Sequence, residues 1–185
     1  MPGTRGRLLV ATPLLSDPNF DRTVVLMLED SDEGALGLVL NRPSPLDVGE
    51  PLPDWADLSA EPPVVFVGGP VSRNSVIALA HCADDPELSE ETWTAVVGSV
   101  GVLDLTADAA LVRTVVDGVR VFAGYAGWGS EQLTAEIDEG AWFVVDALPG
   151  DAVTDDPEHL WRDVLGRQPE PLRRFANYPA DITAN

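Results

Sequence analysis

The sequence predicts an α+β protein built on a largely antiparallel sheet with a few flanking helices. Three observations carry this. Short β-rich runs crowd the first two thirds of the chain, turn residues link successive runs as hairpins, and helical spacing is confined to late segments. A doubly wound fold would alternate strands and helices from the start. The 185 residues show no internal repeat and no linker that divides domains, so residues 1–185 read as one domain. A domain of this length buries about 70% of its unfolded surface.

The elements follow in order. Leu8–Ala11 is continuously apolar, as a buried strand is. Asp17-Pro18-Asn19 is a turn. Thr23–Leu28 and Ala35–Leu40 are β-rich runs, and Asp30-Ser31-Asp32-Glu33-Gly34 joins them as a hairpin loop. Residues 44–63 hold five prolines among acids and read as an exposed loop with at most a helical turn near Trp55. Val64–Val67 and Val76–Ala80 are strands on either side of Gly68-Gly69-Pro70. Ala83–Thr92 is an acidic loop, and Ala95–Val97 and Val102–Leu105 are short strands. Thr106 or Asp108 caps a helix with Leu111, Val112, Val115 and Val116 on its apolar face, ending at Gly118. Asp155 or Asp156 caps a second, with Leu160, Trp161, Val164 and Leu165 inward and Gly166 at its end.

The most patterned stretch is Gly124–Val145. Val119, Val121 and Ala123 alternate with Arg120 and Phe122 as a strand. Gly124, Gly127 and Gly129 then suggest a tight turn. Ser130 fits an N-cap, Glu131 suits the positive end of a helix dipole, Leu133 and Ile137 share a face, and Gly140 sits where a C-terminal glycine belongs. Ala141–Val145 resumes as a strand.

Gly124-Tyr125-Ala126-Gly127-Trp128 with Gln132-Leu133, Glu136-Ile137 and Trp142 resembles the signature of the YqgE/AlgH family. Three more pieces agree in order. They are Gly6–Pro13 with Asp17, Phe20 and Arg22; Gly34–Pro43; and Gly68-Gly69-Pro70-Val71. The resemblance covers about Gly6 to Phe175. It implies a bent sheet curled into a barrel-like core. It also implies a bacterial, cytosolic protein of a family labelled as transcriptional regulators, with no established activity.

Charge narrows the function classes. All eleven basic residues are arginine, against thirty-one acidic ones, for a net charge of −20. Without lysine there is no lysine nucleophile, Schiff base or P-loop lysine. The negative field repels phosphate backbones and anionic lipid, so neither nucleic acid nor membrane is expected as a partner. Cys82 stands alone, which rules out an internal disulfide; its apolar neighbours suit a buried thiol. No apolar run approaches the ~20 residues of a membrane span, and no secretory signal is evident.

Chemical motifs are weak. Ser130 has the strand–turn–helix setting of a nucleophile elbow, but Trp128 and Gln132 stand where that motif needs glycine. The glycine turn entering a helix could hold an anion, yet Glu131 already occupies the dipole end. Asp30–Gly34 resembles the start of a calcium loop and lacks its later ligands. Asp84, Asp85, Glu87, Glu90 and Glu91 read as a solvated acidic run, and His81 and His159 make no zinc signature. No metal or cofactor is expected. Tyr125 and Trp128 lack basic neighbours, so they form no base-stacking platform.

Gln132 and Glu136 are the most informative polar pair, four apart on one helical face. They either brace the glycine turn, with Arg120 or Arg22 as partners, or hold a ligand beside Tyr125 and Trp128; the brace is the favoured reading. Asn41 either fixes the turn before Pro43 or faces a groove. Two functions follow. One is a non-catalytic regulatory or protein-interaction module acting on another protein in the cytoplasm. The alternative is a small-molecule-binding protein or enzyme with its site at Gly124–Gly129. A deep cleft lined by Trp128, Gln132 and Glu136 would favour the second.

Overall fold

The computed structural model describes residues 3–83 and 86–179. Asp84 and Asp85 of the acidic run lie outside them. Among the described residues, ten strands form one curled, half-barrel sheet, largely antiparallel, with short helices around it. The strands are β1 (Arg7–Ala11), β2 (Val24–Ser31), β3 (Gly34–Val39), β4 (Pro43–Asp47), β5 (Val64–Val67), β6 (Val71–Cys82), β7 (Trp93–Val97), β8 (Val100–Leu103), β9 (Val116–Gly129) and β10 (Trp142–Asp146). The α-helices are α1 (Ala109–Val112), α2 (Gln132–Asp138), α3 (Pro149–Ala152) and α4 (Leu160–Gly166). The order across the sheet is β10-β1-β2-β3-β9-β6-β8-β7. β4 and β5 pair with each other, and β5 runs parallel to β9, setting Phe66 beside Phe122. No helix among the described residues is long and apolar enough to cross a membrane.

β9 organises the sheet. Its Ala126–Gly129 end pairs with β3, and Val116–Tyr125 pairs with β6. The glycines expected to form a turn lie within this fourteen-residue strand. Gly124 alone of the three has a positive φ, 75°, and a Cβ there would sit 2.5 Å from the Gly69 carbonyl oxygen. Glycine is required where two backbones cross this closely. The strand thus bends and changes partners, and it does not reverse.

Alternation along the strands builds separate apolar layers. Leu8, Val10, Leu26, Leu38, Phe66 and Phe122 meet Trp161, Val164 and Leu165 of α4 on one side. Leu9, Ala11, Val25, Met27 and Val39 face α2 on the other. The β6–β9 face carries Ala78, Ala80, Val119 and Val121, covered by Trp55 and Val112.

Two segments depart from the sequence reading. Residues 44–63 hold the helical turn expected near Trp55, a 3-10 turn at Pro53–Leu58, but they also hold all of β4 after Pro43, and Trp55 is buried. Prolines suit β4 because it is an outer strand needing few donors. The helix expected up to Gly118 is one turn long, capped by the Asp108 side chain on the Ala110 N–H. Val116 pairs with Cys82 and begins β9; sheet pairing overrides the helical spacing of Val112, Val115 and Val116.

Arg120 is buried within β9. It donates to the Thr154 and Glu61 carbonyl oxygens, both at 2.6 Å, and lies over the Phe66 ring. Burial lowers its pKa to about 10, so it stays charged at neutral pH. It ties two connections to the sheet and does not serve Gln132 or Glu136.

Candidate functional site

The candidate site forms around α2, which leaves β9 and returns as β10. Glu131 is its N-cap, in the left-handed region at φ 65°, with no side-chain cap. The sequence places the cap one residue earlier, at Ser130, but the left-handed residue that turns the chain from strand into helix intervenes. Gln132 Oε1 accepts from the Gly129 N–H at 2.9 Å and secures the strand end. At the other end Gly140 has φ 85°, its N–H donates to the Ile137 carbonyl, and the Ala141 N–H donates to the Glu136 carbonyl. This is a Schellman closure, in keeping with the C-terminal role expected of Gly140.

Leu133 is buried among Leu9, Met27, Ala126, Trp128 and Trp142, with Ile137 beside it. Leu133→Ala is expected to cost about 2–5 kcal/mol. Ser130→Ala is expected to stay within about 0.5 kcal/mol, because no cap is lost. Denaturant midpoints measure both; equal shifts would contradict this placement of the helix face.

One flank of α2 faces an aromatic cluster. Phe20, Trp128 and Trp142 pack with centroids 5.6–6.2 Å apart. Glu136 lies against them. Its Oε2 and the Trp142 Nε1 are buried, and neither has a hydrogen-bond partner in place among the described residues. Burial raises the Glu136 pKa most; the nearby Trp128 and Trp142 N–H groups oppose this, and Glu139 and Asp17 add to it. A carboxyl whose pKa is raised by folding stabilises fully below its ordinary 4.5, and that contribution is lost as pH rises through the folded value. Glu136→Gln is therefore expected to gain on wild type as pH rises from about 5 to about 8, read as the difference between their melting temperatures. A difference that shrinks or stays flat would contradict it.

Gln132 and Glu136 share no partner, so their stability effects are expected to add, contrary to a single shared brace. Arg22 is elsewhere, over the Trp161 ring and donating to the Tyr178 carbonyl oxygen. Asn41 Oδ1 accepts from the Val24 N–H and its Nδ2 donates to the Arg22 carbonyl, which fixes the start of β2. Tyr125 packs against the α4-side core, whereas Trp128 belongs to the α2 layer. Among the five candidate residues, only Trp128, Gln132 and Glu136 meet around α2.

The other flank of α2 is open. Seven residues span only about 10 Å, so the sheet face continues past the helix uncovered. There a groove of about 710 Å³ is lined by Arg7, Asp30, Asp32, Ala35, Glu131, Leu133, Thr134, Ile137 and Val144. A bulge between Met27 and Glu29 sets Asp30 opposite Ala35, on the α2 face. Asp30 Oδ2 accepts from the Thr4 N–H at 2.7 Å and its hydroxyl at 2.8 Å. Arg7 pairs with Asp146 at 3.3 Å. Neither Trp128, Gln132 nor Glu136 lines the groove. Of its lining residues, Gly129 belongs to the Gly124–Gly129 turn that the sequence offers as an alternative site, and Asp30–Gly34 and Glu131 belong to the calcium-loop and anion readings that it sets aside; the sequence points to none of the apolar lining.

The fold and groove define a curled-sheet α+β protein with an open cleft beside the helix that joins β9 to β10. Comparison with known proteins gives the family. The AlgH-like family model matches residues 8–173. A UPF0301 protein of Streptomyces coelicolor is 52% identical over 182 residues, covering 97% of this chain and 94% of that protein. A UPF0301 protein of Mycobacterium tuberculosis is 42% identical over 182 residues, at 97% and 90% coverage. A crystal structure from Corynebacterium diphtheriae superposes with a TM-score of 0.90 at 32% identity, covering 96% of this chain and 93% of that one. The solution structure of AlgH from Pseudomonas aeruginosa gives 0.69 at 29% identity, with 89% and 88% covered. The chain belongs to the AlgH-like family.

Proposed function

We propose that the protein is a non-catalytic, cytoplasmic interaction module that regulates by holding another protein in the groove beside α2. The observation that carries this reading is the groove lining: an apolar floor of Ala35, Leu133, Ile137 and Val144 with a polar rim. Such a lining suits recognition. Neither histidine nor the cysteine lines the groove. His81 Nδ1 lies 2.5 Å from Asp117 and His159 Nδ1 2.9 Å from Asp156. Burial pushes the Cys82 thiol up to about 11. Trp128, packed in one layer with Leu133, and Gln132, bonded to the Gly129 N–H, support the groove by holding α2 on the sheet.

The test is affinity capture from the protein's own cells, comparing wild type with Thr134→Trp, which fills the exposed groove wall. A stoichiometric partner retained by wild type and lost by the variant is expected. A partner retained equally by both would overturn the groove as the binding surface. If regulation is transcriptional, it is exerted through that partner. A salt-resistant, sequence-dependent mobility shift of duplex DNA below about a micromolar protein would contradict this.

A further inference from the structure

We infer that the groove takes an extended segment of a partner protein that presents arginine or lysine side chains; this rests on the interaction reading above. The lining sets three carboxylates, Asp30, Asp32 and Glu131, against one guanidinium, Arg7. Arg7 is already matched by Asp146, its cross-strand neighbour on β10. The three carboxylates come from the β2–β3 hairpin and the start of α2, which meet where Gly34 pairs with Gly129 at the end of β9. Asp30 is held in place by two donors from Thr4 before any ligand arrives.

The floor completes the match. Arginine and lysine carry long methylene stems that lie on apolar surface while the charged head reaches outward. Leu133, Ile137, Val144 and Ala35 offer that surface below the acidic rim. An acidic segment would meet three like charges, and a purely apolar one would bury the rim carboxylates without partners. The net charge of −20 adds long-range attraction for a basic partner and speeds its arrival. Complementary charge, the apolar floor and a volume of about 710 Å³ together favour a peptide segment over a small cation.

The probe is a fluorescent eight-residue peptide alternating arginine and serine, titrated by anisotropy. Controls are the same peptide with glutamate or glutamine at the arginine positions, and spermine as a competitor. The proteins are wild type, Asp32→Asn/Glu131→Gln, and Asp54→Asn/Asp108→Asn. The last pair removes the same charge from a separate acidic groove. The arginine peptide is expected to bind wild type about tenfold more tightly than Asp32→Asn/Glu131→Gln, and within about twofold of Asp54→Asn/Asp108→Asn. Matching melting temperatures establish that all three proteins are folded.

Equal weakening by both double variants would show non-specific attraction and overturn the inference. Equal binding of the glutamine peptide, or displacement by spermine at matched charge concentration, would also overturn it. If Thr134→Trp loses the cellular partner while the arginine peptide never binds wild type, the basic-segment inference fails and the interaction reading stands. If neither experiment gives binding, both fail.

Discussion

Trp161→Ala is expected to destabilise the protein by about 3–5 kcal/mol. Against the ~5–15 kcal/mol that holds a typical domain, this brings the fold close to its limit. Trp161 is 2% exposed and sits in the layer between α4 and the sheet, with Leu8, Val10, Val24 and Val145. Its Nε1 donates to the Ala11 carbonyl at 2.8 Å, at the end of β1. Its ring supports the Arg22 guanidinium, 4.0 Å from the centroid. Truncation removes the contacts, leaves a cavity and strands the carbonyl. Trp161→Phe keeps most of the volume and loses only the hydrogen bond, so it is expected to cost about 1–3 kcal/mol. Urea denaturation separates the two; equal midpoints for both variants would show that the hydrogen bond outweighs packing at this position.

Asp151→Ala is expected to cost about 3 kcal/mol. Asp151 is 6% exposed, and one carboxylate serves two elements. Oδ2 accepts from the Leu148 N–H at 2.8 Å and so closes the start of α3. Both oxygens also accept from Arg167, at 2.7 and 2.6 Å, which ties α3 to the end of α4. The Asp151 pairing raises the Arg167 pKa more than burial lowers it. Removing the carboxylate leaves a partly buried guanidinium unpaired and an N–H uncapped. A double-mutant cycle with Arg167→Ala measures the coupling. A coupling energy near zero would show that the cap alone accounts for the loss.

The elements legible in the sequence were those whose local pattern and tertiary role agree. The β2–β3 hairpin, the Leu160–Leu165 face and the Gly140 closure all appear where spacing placed them. Errors arose where distant contacts decide. Gly124 suits a turn as readily as a strand crossing, and only the approach of Gly69 chooses between them. Arg120 reads in the sequence as a partner for Gln132 and Glu136, because its actual partners are carbonyls of remote connections. Pro-rich surroundings hid the burial of Trp55.

The site was half legible. Trp128, Gln132 and Glu136 do gather around α2, but none of them lines the groove. The groove on the other side is made by an absence of cover. Its walls come from a hairpin, a helix start and β10, each unremarkable alone.

The most direct measurement of the central claim is amide hydrogen exchange on the protein bound to the partner captured from its cells. Slower exchange is expected at Asp30–Ala35, Ser130–Ile137 and Val144, with the Pro53–Asp57 and Leu105–Arg113 surface unchanged. Protection on that other surface, with α2 and the β2–β3 hairpin unaffected, would contradict the account.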